Sequence, residues 1–225
     1  MTAARVVPGV STLAEPALVI PGVPVWERRH SRVLQSPLAA QRAGILLHYD
    51  DSTRDDWAVA WFSDPRCTNG YTWLVLHDGR VIELANPAMR TPHAGACLTP
   101  QANSRLYGVS ATTNGVVPAT PRQLEAIVVT CVAICRYHGW AAKDVATRIH
   151  GHDAQAVWTP QNTRAAGMSD ANAAALWGTL GRKVDPTGIR SDKQKIIDVD
   201  LVRTAVAARM GDPEHGGSRA AQPME

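Results

Sequence analysis

The sequence predicts an α/β domain in which a central mixed β-sheet is flanked by helices, and three observations support this. Apolar runs of strand length occur at residues 43–49 and 106–110. A paired run at residues 71–84 has Asp-Gly in its middle, which is the signal of a β-hairpin, and apolar residues at helical spacing follow Thr120. The chain has 225 residues, 45% of them hydrophobic, so it can bury one sizeable core and a single domain is expected.

Residues 1–40 are predicted to form an N-terminal arm, because prolines repeatedly interrupt any long regular element there. One short strand is expected within the arm, near residues 17–20. The apolar run that follows, residues 43–49, suits a buried strand. His48 would then lie at the end of that strand.

The middle of the chain is predicted to form a short helix and then the hairpin. The helix covers residues 53–62, after a loop and helix cap at residues 50–52. The two strands of the hairpin are residues 71–76 and 81–84, and Tyr71 starts the first of them.

Two further helices are predicted in the second half of the chain. The first begins at Thr120, a capping residue followed by a proline in the first turn, and its apolar positions keep the helical period up to Gly139. Cys131 and Cys135 share one face of this helix and are expected to be buried in the core. The second helix covers residues 199–210.

Composition and charge argue against several classes of function. The formal net charge of +3 comes from scattered Arg and Lys residues and not from a basic block, so no nucleic-acid partner is expected. No stretch reaches the roughly 20 apolar residues of a membrane span, and the N-terminus lacks the apolar run of a signal peptide. We therefore expect no integral membrane segment and no signal peptide. The four cysteines also lack the spacing of a metal cluster.

Three distant residues have the character of a catalytic metal site. His48 ends an apolar run, His152 follows a glycine, and Asp185 lies two residues after Lys183. Two imidazoles and one carboxylate match the donor set of a zinc site that leaves one position open for water. His150 is an alternative to His152, since an extended segment would place both on the same side, but the Gly-His pair favours His152. The histidines that match no motif are expected at the surface: His30, His77, His138 and His215.

Short motifs recur in a fixed order along the chain: Leu46-Leu47-His48-Tyr49, Gly70-Tyr71-Thr72-Trp73-Leu74-Val75 with Asp78-Gly79, His93-Ala94-Gly95, Tyr107-Gly108-Val109, Gln123-Leu124, Gly151-His152-Asp153 and Arg182-Lys183-Val184-Asp185-Pro186. In this order they resemble the type 2 N-acetylmuramoyl-L-alanine amidases, a family that shares its fold with peptidoglycan recognition proteins and phage lysozyme-type amidases. The resemblance covers roughly residues 40–190.

The resemblance implies one Zn²⁺ ion bound by His48, His152 and Asp185. It also implies two catalytic residues. The hydroxyl of Tyr71 would orient or deprotonate the attacking water, and the positive charge of Lys183 would stabilise the oxyanion that forms on the amide carbonyl.

His93, Thr72 and Ser110 are expected to contact the substrate, His93 because it lies in the His-Ala-Gly motif that lines the groove of the family. Ser110 is a departure from the family pattern. Related recycling and bacterial amidases carry a glutamate at this position, so the resemblance at Ser110 is closer to the phage lysozyme-type enzymes. The general base must then be Tyr71 or another group.

The expected reaction is hydrolysis of the amide between N-acetylmuramic acid and L-alanine in peptidoglycan, by a monomer. The catalytic domain would span residues 41–210, with an insertion at about 154–181, and residues 211–225 would form a flexible tail or linker. The lack of a signal peptide suggests a phage endolysin, held in the host cytoplasm until lysis. The alternatives are a non-catalytic peptidoglycan-binding module of the same fold, a cytosolic muropeptide-recycling amidase, or a zinc hydrolase of another amide.

Overall fold

The computed structural model describes residues 18–30, 35–95, 97–114, 116–155, 185–186 and 195–211. Most of the predicted insertion, from residue 156 on, lies outside the described residues. So do Lys183, His215, the first 17 residues of the predicted arm and the predicted tail from residue 212 on.

The strands within these ranges are β1 (Val25–Arg28), β2 (Ser36–Pro37), β3 (Gly44–Tyr49), β4 (Trp73–Val75), β5 (Val81–Glu83), β6 (Met89–Arg90), β7 (Leu106–Ala111) and β8 (Ile149–Gly151). The α-helices are α1 (Asp55–Ser63), α2 (Ala102–Arg105), α3 (Pro121–Tyr137), α4 (Val145–Arg148), α5 (His152–Gln155) and α6 (Val199–Gly211). No α-helix among the described residues is long and apolar enough to cross a membrane.

The central sheet is mixed, and its strand order is β1-β5-β4-β7-β3-β8. β4 and β5 pair antiparallel across the predicted hairpin, whereas the β1–β5, β4–β7, β7–β3 and β3–β8 pairs are parallel. β2 and β6 form a separate antiparallel pair. The predicted α/β fold with a central mixed sheet is confirmed.

β3 and β7 lie side by side in the sheet, and every residue of both is buried. Strands that are covered on both faces need nearly continuous apolar or small residues, which is why these two segments are such clear apolar runs in the sequence. Side chains alternate between the two faces of a strand. In β3, Ile45, Leu47 and Tyr49 belong to the main core, whereas Leu46 and His48 face the opposite layer.

α3 and α6 cover the face of the sheet that holds the main core. α3 begins as predicted, because the Thr120 hydroxyl accepts a hydrogen bond from the backbone N–H of Gln123 (3.1 Å) and the Gln123 side chain accepts one from the backbone N–H of Thr120 (2.9 Å). Cys131 and Cys135 are fully buried in this layer, as predicted.

The opposite face of the sheet carries two smaller clusters. α1 packs Ala58, Val59 and Phe62 against the hairpin. The segment between β5 and β7 packs Ala94 and Ala102 over the central strands. This second face is the one on which His48 lies.

Some element boundaries differ from the sequence prediction. Residues 18–20 form no strand, and the chain joins the sheet at β1. Tyr71 lies just before β4 and not within it. Arg54 occupies the cap position of α1 without a side-chain cap, because its guanidinium has no acceptor. The Ser52 hydroxyl accepts a hydrogen bond from the backbone N–H of Arg54 (3.1 Å) in the turn ahead of the helix.

Candidate active site

His48, His152 and Asp185 meet on the second face of the sheet. Nδ1 of His48 lies 2.9 Å and Nδ1 of His152 lies 3.1 Å from Oδ2 of Asp185, and donor atoms from all three lie within 4.8 Å of one another. The three residues are 1%, 3% and 4% exposed, respectively. The structure therefore brings together the three residues that the sequence suggests as metal ligands.

The backbone holds His152 and Asp185 in place, although they are 33 positions apart in the chain. His152 begins α5 directly after β8, which is a parallel neighbour of β3. The carbonyl of Asp185 accepts a hydrogen bond from the N–H of Asp153 (2.6 Å), and the carbonyl of Pro186 accepts one from Ile197 (3.0 Å). The segment that carries Asp185 is thus tied both to α5 and to the residues just before α6.

The three residues offer one carboxylate and two imidazole nitrogens that could hold a metal ion. Burial by itself would raise the pKa of the Asp185 carboxyl, but hydrogen bonds from His152 and His48 bring that pKa well below its ordinary value. Asp185 is therefore a carboxylate at neutral pH. Nε2 of His152 lies 2.8 Å from the carbonyl of Ala94, and because a carbonyl only accepts hydrogen bonds, Nε2 carries a proton. Nδ1 is then the nitrogen of His152 that faces Asp185, where it can share a proton or a metal ion with the carboxylate.

The spacing of the donors also suits a metal ion. A tetrahedral zinc ion with bonds of about 2.0–2.1 Å holds its ligand atoms about 3.3 Å apart. The contacts from Asp185 to the two imidazoles, 2.9 and 3.1 Å, are slightly shorter. A small opening of the group would therefore admit the ion.

His93 lies directly against His48. It is 8% exposed, its Nδ1 is 3.0 Å from Nε2 of His48, and its Nε2 is 3.1 Å from the carbonyl of Leu106. Burial and the neighbouring His48 lower the pKa of His93 well below its ordinary value, so the ring is neutral. Contact with the substrate remains a prediction for this residue.

Two residues that support the site were missed by sequence reasoning. The Asn103 side-chain oxygen accepts hydrogen bonds from the backbone N–H groups of His93 (2.9 Å) and Ala94 (2.7 Å). Arg42 is buried and donates from Nη1 to the carbonyl of Leu106 (2.6 Å). An arginine immediately before a buried strand was the available signal for Arg42, whereas nothing local distinguishes Asn103 from an ordinary loop asparagine.

Tyr71 lies at the edge of the group and is half-buried. Its ring is 5.0 Å from that of His48 and 5.2 Å from that of Phe62 in α1, and its hydroxyl lies 3.4 Å from the carbonyl of Tyr49, within donating distance. Burial and the negative charge of Asp185 raise the pKa of Tyr71. The phenol is therefore protonated and can donate a hydrogen bond.

Ser110 and Thr72 are both fully buried. Ser110 is the register partner of His48 in the β3–β7 pair, so it lies on the same face. The backbone N–H of Thr72 donates to the carbonyl of Gly108 (2.9 Å). Their predicted contact with substrate remains a prediction.

His150 does not join the group formed by His48, His152 and Asp185. It is half-buried, and its Nδ1 lies 3.3 Å from the side-chain amide of Gln155. The histidines that match no motif are half-buried in the described part of the chain and pair with other side chains: His30 with Glu83, His77 with Asp55 and His138 with Tyr107. Lys183 lies outside the described residues.

A cavity of about 340 Å³ adjoins the segment that carries His93 and Ala94. Its walls include polar groups from the β6 strand and from the start of α2: Arg90, Gln101, Asn103 and Ser104. The cavity therefore offers hydrogen-bonding groups beside Gly95, but none of the three metal-ligand candidates lines it.

Known proteins share both the sequence pattern and the fold. The sequence model of the N-acetylmuramoyl-L-alanine amidase family matches residues 39–187, more than half of the chain. The crystal structure of a selenomethionine derivative of AmpD is similar over 84% of this chain and 99% of that one, with 16% identity and a TM-score of 0.56. The Staphylococcus aureus hydrolase AmiA, solved in complex with its ligand, is similar over 82% of this chain and 84% of that one, with 16% identity and a TM-score of 0.53. At this identity the two structures support the fold alone. No curated protein sequence matches this chain closely enough to be counted as a relative.

Proposed function

The chain belongs to the N-acetylmuramoyl-L-alanine amidase family and is an amidase of peptidoglycan, and from this premise we propose that it works with one zinc ion held by His48, His152 and Asp185. The convergence of two imidazole nitrogens on one buried carboxylate oxygen, at 2.9 and 3.1 Å, is the observation that carries the proposal. When bound, zinc supplies a Lewis acid that polarises a carbonyl and lowers the pKa of a water molecule towards about 7.

The two proposed catalytic residues are assigned different tasks in the reaction. Tyr71 has a protonated hydroxyl beside His48, so we assign it the orientation of the attacking water by hydrogen bonding. Lys183, two residues before Asp185 in the sequence, is assigned the stabilisation of the oxyanion through its positive charge.

The proposed setting is lysis of the polymeric cell wall, as by a phage endolysin. Ser110 supports this choice over muropeptide recycling, because the recycling enzymes are expected to carry a glutamate at this strand position. Ser110 is the register partner of His48, so a glutamate there would lie beside the metal site. The catalytic domain is proposed to span residues 41–210, with β1 of the preceding segment added to its sheet as an edge strand.

Digestion of purified cell wall tests the reaction and its metal together. The protein is stripped with a chelator, restored with zinc, and assayed for the appearance of new L-alanine amino termini. We expect release only after zinc is restored, and none from a His48→Ala variant. Release that continues after zinc removal contradicts the metal mechanism, and no release at any zinc concentration favours a binding module without turnover.

The choice of substrate tests the setting. Cross-linked sacculi and soluble muropeptides are compared at equal concentrations of scissile amide. A lytic enzyme cleaves the sacculi, whereas cleavage of the soluble fragments alone would assign the chain to recycling.

A further inference from the structure

We propose that His93 is a positioning residue that fixes the orientation of the His48 ring, so that Nδ1 of His48 faces the metal position. The inference rests on the proposed zinc site and goes beyond it, because His93 is not a member of the ligand group. It is carried by the direction of three consecutive hydrogen bonds.

The chain of hydrogen bonds starts at the backbone carbonyl of Leu106. A carbonyl oxygen can only accept, and this one already accepts a hydrogen bond from Arg42 (2.6 Å). Nε2 of His93, 3.1 Å away, must therefore be the donor.

The same argument determines which atom donates in the hydrogen bond between His93 and His48. A neutral His93 that carries its proton on Nε2 has a lone pair on Nδ1, which lies 3.0 Å from Nε2 of His48. Nε2 of His48 is therefore the donor in that bond. Nδ1, the other nitrogen of the His48 ring, lies 2.9 Å from Oδ2 of Asp185 and therefore faces the proposed metal position.

His152 is set by the neighbouring residue in the same way. Its Nε2 donates to the carbonyl of Ala94 (2.8 Å), which leaves Nδ1 facing Asp185. One dipeptide, His93-Ala94, thus directs both histidines of the site. Asn103 anchors that dipeptide by accepting from both of its backbone N–H groups.

The His93 ring has little freedom to turn away. A Cβ on Gly108 would lie 2.8 Å from Cγ of His93, so the ring rests directly on the β7 backbone. Contacts of this kind, which orient metal-ligating histidines from behind, typically change metal affinity 10–100-fold when removed.

A pair of variants at this position separates the proposed role from simple packing. In His93→Asn the side-chain oxygen can replace Nδ1 as acceptor for His48, whereas His93→Leu removes it. Zinc dissociation constants are measured by competition with a chromophoric chelator, on the full chain. We expect roughly 10–100-fold weaker binding for His93→Leu and partial or full rescue in His93→Asn.

His138→Leu serves as the matched control, because His138 bonds to the Tyr107 hydroxyl on the other face of the sheet. It should lower the thermal stability without changing zinc affinity. A second readout needs no metal: two-bond ¹H–¹⁵N spectra of the metal-free protein should show His93 with its proton on Nε2 and a bare Nδ1.

The outcomes distinguish this inference from the proposed function. If the wild type binds zinc and the His93→Leu variant binds it equally tightly, the positioning role is overturned and the proposed function stands. The same holds if the Leu and Asn variants lose zinc affinity to the same extent. A proton on Nδ1 of His93 also overturns the positioning role. If the wild type binds no zinc, the proposed function fails, and the spectra still decide the direction of the hydrogen bonds.

Discussion

Substitution of Gly108 by alanine should weaken metal binding although it leaves every ligand candidate in place. The new methyl group would lie 2.8 Å from Cγ and 2.9 Å from Nδ1 of His93. Carbon atoms in favourable contact are about 3.5 Å apart or more, so the imidazole must retreat by about 0.7 Å. A retreat of that size along the bond to His48 would stretch the 3.0 Å contact to about 3.7 Å, which is outside the range of a hydrogen bond.

The expected magnitudes follow from that displacement. Loss of the supporting bond should weaken zinc binding by roughly 10–100-fold, and the overpacking should lower the free energy of unfolding by about 1–3 kcal/mol. Zinc affinity is measured by chelator competition, and unfolding of the metal-free protein is measured by denaturant titration. The first assay measures the effect on the metal site, and the second measures the effect on the stability of the fold.

Gly79→Ala is the control for destabilisation as such. Gly79 is in the hairpin turn at a φ of +86°, and its Cβ would lie 3.0 Å from the carbonyl of Arg122, so alanine is strained there by about 1 kcal/mol or more. Its zinc affinity should stay at the wild-type value. If Gly108→Ala also keeps that value while it loses stability, or if both variants lose affinity equally, the reasoning about the ring of His93 is wrong.

Three further predictions concern single side chains. His152→Ala should abolish zinc retention and turnover while His150→Ala keeps both, as metal analysis and wall digestion can establish; the reverse pattern would mean that His150 is the ligand. Tyr71→Phe should lower turnover by roughly 100-fold or more and leave zinc affinity unchanged, and full activity in this variant would exclude a catalytic hydroxyl. Thr120→Ala removes one half of the capping box with Gln123. It should lower the free energy of unfolding by about 1 kcal/mol and leave zinc binding unchanged. An unaltered denaturation midpoint would contradict the role of the cap.

The parts of the fold that could be predicted are those with a local signal. The central strands β3 and β7 are buried on both faces and therefore appear as continuous apolar runs. The start of α3 has its cap in the sequence at Thr120. By contrast, the edge strand β1 lies among prolines, and its pairing with β5 depends on a neighbour more than fifty residues away.

The candidate site divides in the same way. The order of the motifs was enough to identify His48, His152 and Asp185 as candidate metal ligands. Their proximity in space depends on the parallel pairing of β3 with β8 and on the backbone hydrogen bond of Asp185. The partner of His93 could not be predicted. The contact between His93 and His48 depends on the orientation of the His93 ring. That orientation is set by the hydrogen bonds to Asn103 and by the absence of a side chain at Gly108.

α6 has a practical consequence for anyone who wishes to transplant this catalytic unit. The family match ends at residue 187, yet Val202 and Val206 of α6 are buried in the main core, and Arg203 donates to the carbonyl of Ile149 in β8 (2.8 Å). A chimaera cut at the boundary of the family match would lack α6. The apolar side of α3 would then be exposed, and β8, the strand that precedes His152, would lose its hydrogen bond from Arg203. The smallest portable unit therefore runs from β1 through Gly211, and fusions to a heterologous wall-anchoring module should be joined beyond that residue.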